Sequence, residues 1–146
     1  MSFGFIGEYY HSVDVKGRMN IPVKFRELLG DSFVVTRGLD KCLSIYPTEA
    51  FQAFAQKLQS LPISDKNARQ FVRFFLSGAV ECELDKQGRI LLPAPLRKAA
   101  GIEKDVILAG MMERIEIWDK DKWEDKTASD NMEDIAASMA NCGLVL

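Results

Sequence analysis

Hydrophobic and polar positions along the chain fall into short blocks, and the blocks recur. Glu8 to Asp14 is rich in aromatic and β-prone residues, Val15-Lys16-Gly17 supplies a turn whose glycine can take positive φ, and Arg18 to Ile21 returns as a strand. This predicts a β-hairpin. Pro22 then opens a helix of about two turns, with Phe25, Leu28 and Leu29 on its apolar face and Gly30 as its C-terminal cap. Phe33 to Thr36 and Cys42 to Tyr46 read as two further strands across an Arg37 to Lys41 turn, and Val106 to Ala109 with Arg114 to Trp118 repeat that pair. Between the two sets, Thr48 is a candidate N-cap for a helix with Phe51, Phe54, Ala55, Leu58 and Leu61 on one face, ended by Pro62. Ser64 is a candidate cap for a second helix, with Ala68, Phe71, Val72, Phe75 and Leu76 on one side and Lys66, Arg69 and Arg73 on another. A last, acidic helix is predicted from about Lys120 to Ala140, followed by a tail from Asn141 to Leu146.

The recurrence is an internal repeat at a shift of 71 residues. Gly7 falls on Gly78, Asp14 on Asp85, Gly17 on Gly88, Arg18 on Arg89, Pro22 on Pro93, Arg26 on Arg97 and Gly30 on Gly101. After Gly101 one extra residue is expected in the second copy, so that at a shift of 72 Val34 meets Val106, Gly38 meets Gly110, Ile45 meets Ile117 and Tyr46 meets Trp118. The organisation read from this is a first repeat over 8–51, a helical linker over 52–78, a second repeat over 79–123 and an acidic C-terminal segment over 124–146. A unit of about 45 residues buries too little to stand alone, so two copies sharing one core is the economical solution. The expected fold is α+β, mainly β with flanking helices, the hairpins of the two halves packing or interleaving about a pseudo-twofold into one small β-barrel.

Composition narrows the function. The chain has 146 residues, 47% hydrophobic and 27% charged, as expected of a globular protein and not of a disordered polymer. No apolar run reaches the roughly 18 residues of a membrane span, and the first residues carry no basic region, so a cytoplasmic protein without membrane partners is expected. Cys42, Cys82 and Cys142 are far apart and His11 is the single histidine, which leaves neither a disulfide framework nor a metal site to expect. Net charge is −2, but Asp119 to Leu146 holds seven acids against three bases, leaving the remainder weakly basic. Any phosphate binding must therefore come from a concentrated patch or be multiplied by oligomerisation.

The two turns are that patch: Asp14-Val15-Lys16-Gly17-Arg18-Met19-Asn20-Ile21-Pro22 and Asp85-Lys86-Gln87-Gly88-Arg89-Ile90-Leu91-Leu92-Pro93. Turn chemistry alone accounts for an aspartate, a glycine and an arginine in such a hairpin. A hairpin presenting arginine and lysine also suits the major groove, where a guanidinium can donate to guanine O6 and N7 while lysine holds phosphate. Asp14 and Asp85, with Gly17 and Gly88, are expected to shape the turns and orient the arginines. Arg26 and Arg97 on the short helices either contact phosphate or solvate an outer face.

These motifs resemble the swapped-hairpin family of AbrB-type DNA-binding domains, and two such domains in one chain resemble the MraZ family of bacterial transcriptional regulators. The resemblance extends to about Trp123 and includes Phe74-Phe75-Leu76-Ser77-Gly78 and Ile115-Glu116-Ile117-Trp118. It implies a nucleoid-associated repressor of its own operon of division and cell-wall genes, assembled into rings on short direct repeats of double-stranded promoter DNA. Lys16 and Arg18, with Lys86 and Arg89 as counterparts, are the DNA-binding positions it implies, and Arg26 and Arg97 are secondary candidates. No cofactor and no small-molecule substrate are expected. An enzyme finds little support, because there is no phosphate-binding glycine loop, no nucleophile elbow and no second histidine. The alternative is an oligomeric adaptor or antitoxin-like module that binds protein through the acidic C-terminal segment and has no DNA activity.

Overall fold

The computed structural model describes residues 4–128 and 131–146. The first half contains β1 (Glu8–Ser12), β2 (Arg18–Asn20), α1 (Val23–Leu29), β3 (Ser32–Arg37) and β4 (Leu43–Pro47). Two helices follow, α2 (Thr48–Gln59) and α3 (Lys66–Ser77). The second half repeats the order with β5 (Val80–Glu83), β6 (Arg89–Leu91), α4 (Ala94–Ala99), β7 (Asp105–Gly110) and β8 (Ile115–Asp119). The chain then continues through α5 (Lys120–Ala128), α6 (Met132–Ser138) and a 3-10 turn over Met139–Cys142.

The halves are interlocked. In the larger, six-stranded antiparallel sheet the order is β1-β7-β8-β4-β3-β5, so β1 pairs with a strand of the second half and β5 with a strand of the first. β2 and β6 form a separate two-stranded ribbon, again one strand from each half. In that ribbon Met19 pairs with Ile90, its own counterpart at the 71-residue shift, and in the large sheet Ser44 of β4 pairs with Glu116 of β8, counterparts at 72. A residue can pair with its own equivalent only on a twofold axis, so these two pairs mark the pseudo-twofold that relates the halves.

The α+β class with two intertwined halves is thus the observed one, and the expected barrel takes the form of two sheets instead of one closed cylinder. The reason is chemical. β2 and β6 are three residues long, and Pro22 and Pro93, two residues past each strand, have no N–H with which to extend the ladder.

One core serves both halves, and it is built from matched pairs: Met19 with Ile90, Ile21 with Leu92, Phe25 with Leu96, Phe33 with Val106, Val35 with Leu108, and Ile45 with Ile117. The pairs also correct the alignment. The β1–β7 and β3–β5 registers superpose only if Phe33 falls on Val106 and Val34 on Ile107, a shift of 73. Two residues are therefore inserted after Gly101, and the turn between β7 and β8 gives one back, restoring the shift of 72 in β8.

Helix termini differ from expectation as well. Thr48 is not the cap of α2; Pro47 holds that position and the Thr48 hydroxyl donates to the Ser32 carbonyl instead. α3 is capped not by Ser64 but by Asp65, whose carboxylate accepts from the N–H groups of Asn67 and Ala68. The acidic C-terminal helix is two helices, and α6 has its own cap in Asn131.

Candidate nucleic-acid interface

Each turn is held by one aspartate. Asp14 Oδ1 accepts from the backbone N–H of Lys16 at 2.9 Å and of Arg18 at 2.8 Å, while Oδ2 accepts from Arg18 Nε at 2.8 Å. Asp85 repeats the pattern, with Gln87 N and Arg89 N at 2.9 Å on Oδ1 and Arg89 Nε at 2.8 Å on Oδ2. The N–H of Gly17 closes back on the Asp14 carbonyl and that of Gly88 on Asp85, with φ of 88° and 75° at the glycines. Both carboxyls are held below the ordinary aspartate range, chiefly by the backbone N–H of the arginine four residues on. They stay ionised, and they lie beyond opposite ends of the ribbon, so they cannot work together as an acid–base pair.

The ribbon sorts the residues that follow. In an antiparallel pair alternate side chains share a face. Met19 and Ile90, each 1% exposed, point into the core. Arg18, Asn20, Arg89 and Leu91 therefore occupy the opposite, outward face, with Arg18 across from Leu91 and Asn20 across from Arg89. Arg18 and Arg89 are diagonal neighbours, about 7–8 Å apart by strand geometry. Because each Nε is taken by an aspartate, both terminal Nη groups of each guanidinium remain to donate outward. Lys16 and Lys86 stand exposed on the turns at either end, and Val15 is completely exposed. The two turn tips are separated by about 20 Å at most, the length of six strand residues.

Arg26 and Arg97 are half-buried, each held through its Nε by a backbone carbonyl of its own half. Arg26 Nε donates to the Ile21 carbonyl at 2.8 Å and Arg97 Nε to the Leu92 carbonyl at 3.0 Å. Each guanidinium lies against the turn of the other half: Arg26 over Gly88, Arg97 over Gly17. The same exchange appears in the backbone, where Ile21 N–H donates to the Gly88 carbonyl and Leu92 N–H to the Gly17 carbonyl. The arginines of the short helices are clamps that fix each turn to the opposite half. Their coincidence at the 71-residue shift, on the same helix position and together with the glycines, was the available signal.

Asn20 and Leu91 were also missed, although counting two residues on from each arginine would have placed them beside it. The strands that lead into the turns are unlike: Tyr10 and Ser12 of β1 correspond to Glu81 and Glu83 of β5, all four exposed. Below the Asn20 end lies a polar recess of about 460 Å³ lined by His11, Ser12, Asn20 and Lys120. Burial, and secondarily the Arg26 charge, lower the His11 pKa, so the imidazole is neutral near pH 7. Of the aromatic residues, Phe75 and Trp118 are buried, Phe74 is half-buried and Phe71 is partly exposed beside Phe75. Among the described residues no helix is long and apolar enough to cross a membrane, and no three His, Cys, Asp or Glu side chains gather as a metal site would require.

Comparison with known proteins agrees with this duplicated architecture. The family model described as "MraZ protein, putative antitoxin-like" matches twice, over residues 5–74 and 75–142. The chain is 55% identical over 142 residues to a transcriptional regulator MraZ of Acetivibrio thermocellus, covering 96% of this chain and 99% of that protein. It is 51% identical over 140 residues to the protein of the same name in Lachnoclostridium phytofermentans, and 52% identical over 142 residues to that of Halothermothrix orenii, with 96% of this chain covered in each case and 98% and 99% of the relatives. These relatives are named as regulators, not as enzymes.

Proposed function

The chain belongs to the MraZ family, and from that premise we propose that it is a transcriptional regulator that reads double-stranded DNA with the outward face of the β2–β6 ribbon. The observation that carries this reading is the placement of Arg18, Asn20, Arg89 and Leu91 on one face, backed by a buried Met19–Ile90 pair and flanked by Lys16 and Lys86. A two-stranded ribbon fits the major groove, about 12 Å wide. The Asp14 and Asp85 carboxylates fix the two guanidiniums so that their Nη groups can donate as a pair to guanine O6 and N7, while the turn lysines meet phosphate. A span of about 20 Å covers roughly six base-pair steps.

The two ends are not equal. Glu81 and Glu83 of β5 stand where Tyr10 and Ser12 stand on β1, so phosphate meets a different charge at the two ends. With a net charge of −2, a single protomer gains little from counterion release. A homo-oligomer presenting several ribbons to spaced direct repeats gains by effective concentration. On this reading the protein is a cytoplasmic, nucleoid-associated repressor of its own operon of division and cell-wall genes.

The test is a mobility shift on DNA from upstream of the protein's own gene, at two salt concentrations, with wild type, Arg18→Ala and Arg89→Ala. Arg18→Ala is expected to weaken specific binding by roughly 10- to 100-fold, a loss of about 1–3 kcal/mol, and an unaffected Arg89→Ala would assign reading to the first turn. A multi-repeat fragment should bind more tightly than a single repeat. Absence of any specific shift from folded, oligomeric wild type would favour the adaptor reading.

A further inference from the structure

A cleft of about 580 Å³ opens between the six-stranded sheet and helices α2 and α3, closed at its end by the β3–β4 and β7–β8 turns. That volume lies within the range of about 300–1,000 Å³ usual for small-molecule sites. Both halves build it: Ser44 and Tyr46 come from β4, and Glu113, Arg114 and Glu116 from β8 and the turn before it. None of these residues belongs to the β2–β6 ribbon.

The floor is polar and only partly satisfied. Thr36 and Ser44 are the buried polar side chains among the described residues. The Thr36 hydroxyl donates to the Phe75 carbonyl at 2.7 Å, whereas that of Ser44, a residue 3% exposed, enters no hydrogen bond among the described residues and faces the cleft. Tyr46, 7% exposed, is in the same situation. A hydroxyl at such depth needs a partner from within the cleft. Charge is also unbalanced there. Arg114 holds two carboxylates, Glu113 at 2.6 Å and Glu116 at 3.2 Å, which leaves one negative charge over. The other Glu116 oxygen accepts from Trp118 Nε1 at 3.0 Å. At the rim Asp40 is paired with Lys126 at 3.7 Å, and Lys57 is exposed.

The walls are aromatic. Tyr46 stacks on Phe54 with ring planes 9° apart and centroids at 5.4 Å. Phe75 meets Phe54 edge-on at 5.1 Å, and the partly exposed Phe71 meets Phe75 at 4.9 Å. Aromatic surface beside a surplus carboxylate is the chemistry that recognises organic cations.

We propose that this cleft binds a small organic amine, its ammonium facing Glu113, Glu116 and the hydroxyls of Ser44 and Tyr46, and its apolar body lying against Phe54, Phe71 and Phe75. Such an occupant touches both halves and stabilises their interlocked arrangement by mass action.

The probes are three dansyl compounds with the same ring and a similar arm: dansylcadaverine, which ends in an ammonium, dansyl-aminocaproate, which ends in a carboxylate, and dansyl pentylamide, which ends in a methyl. Each is titrated into the full-length protein and followed by dansyl emission. Dansylcadaverine should bind about tenfold more tightly than the methyl-ended probe, and the carboxylate probe should bind most weakly. Glu113→Gln with Glu116→Gln should abolish that preference and leave the methyl-ended probe unchanged. Glu113→Gln alone, on an exposed turn, should reduce the preference to about threefold, which keeps the test valid if the double variant fails to fold. Ala53→Trp, at an exposed position lining the cleft, should weaken all three probes, and Ile63→Ser, in the exposed loop between α2 and α3, should change none. Circular dichroism checks that each variant is folded. Equal affinities for the three probes overturn the proposal, and so does binding that is indifferent to Ala53→Trp or lost in Ile63→Ser. Tighter binding of the carboxylate probe overturns it in favour of an anion on Lys57 and Arg114. Failure of dansylcadaverine to bind folded wild type at millimolar concentration overturns it outright.

Discussion

Replacing Gly88 by alanine should destabilise the protein more than the same change at Gly17, although the two turns share one hydrogen-bond pattern. The glycines have φ of 75° at Gly88 and 88° at Gly17, and a side chain there costs about 1–2 kcal/mol in either turn. The surroundings differ. A Cβ on Gly88 would overlap Arg26 Cζ and stand 2.5 Å from its Nε, so the guanidinium must move and its bond to the Ile21 carbonyl is lost. A hydrogen bond from a charged group contributes roughly 1.5–3 kcal/mol, which brings the loss at Gly88 to about 2.5–5 kcal/mol. A Cβ on Gly17 would stand 3.0 Å from the Leu92 carbonyl oxygen and 3.1 Å from Arg97 Cζ, which a shift of a few tenths of an ångström relieves with the Arg97 bond kept. The loss there is about 1–2 kcal/mol, from the backbone alone. The assay is urea unfolding followed by tryptophan fluorescence at fixed protein concentration, extended to a cycle with Arg26→Ala. Arg26→Ala loses the same bond that Gly88→Ala displaces, so the double variant should fall short of additivity by roughly 1.5–3 kcal/mol. An additive cycle, or a Gly17→Ala protein no more stable than Gly88→Ala, would refute the clamp.

Acid should loosen the turns: because the Asp14 and Asp85 pKa values are lowered by folding, their contribution to stability is complete above the unfolded value near 4 and disappears as pH falls through the folded values. The urea midpoint of wild type should drop below about pH 4, and Asp14→Asn with Asp85→Asn should flatten that part of the profile. Thiol labelling at pH 8 should modify Cys142 alone in the folded protein and all three cysteines in urea, since burial, reinforced by Glu116 and Asp40, pushes Cys42 up to about 12 and burial also raises Cys82; rapid native labelling of a second thiol would contradict the burial of these two. Asp65→Ala, which removes the cap of α3, should cost about 1 kcal/mol in urea unfolding, whereas Ser64→Ala should change little.

What could be read from the sequence was what the chain settles locally. The Asp-x-x-Gly-Arg turns close on themselves through hydrogen bonds spanning four residues, so their residue types suffice to announce them. The β3 and β7 alignment slipped by one because Phe33-Val34-Val35 and Val106-Ile107-Leu108 are continuous apolar runs, buried on both faces, and an unbroken run carries no alternation to fix its register. Ser64 and Asp65 are adjacent and both good caps, and only the loop geometry chooses the second. The interleaving of the halves could be expected from the repeat and the swapped-hairpin resemblance, but the partners of β1 and β5 could not be read. It joins residues about a hundred positions apart, such as Tyr9 and Leu108, and nothing in either strand distinguishes its own half from the other. The clamping arginines were visible as a coincidence in the repeat, but assigning them required knowing that each helix lies against the opposite turn.

A duplicated chain with a pseudo-twofold would be expected to read a palindrome, since equivalent side chains would meet equivalent bases on the two strands. The outward face of the ribbon breaks that symmetry. Arg18 and Arg89 are equivalents and could take the same base, but Asn20 and Leu91 are equivalents too, and they demand different partners. Asparagine can donate to and accept from adenine N6 and N7, whereas leucine offers only an apolar contact of the kind that suits a thymine methyl. The flanks reinforce the difference, with Tyr10 and Ser12 at one end and Glu81 and Glu83 at the other. The core keeps the twofold because both halves must fill one interior, as the matched pairs from Met19 with Ile90 to Ile45 with Ile117 do; the surface is free of that demand. On the proposed function, a reader built on this ribbon would have a direction along DNA despite its symmetric scaffold. Several protomers related by rotation in an assembly would then point the same way along the duplex, which matches a site made of direct repeats and not of inverted ones. Exchanging the two side chains, as Asn20→Leu with Leu91→Asn, should reverse the preferred orientation of the recognised sequence at little change in stability, because both positions are exposed. A selection from random DNA that returned the wild-type orientation for the exchanged protein would place the source of direction in the turns and flanking strands, not in the ribbon face.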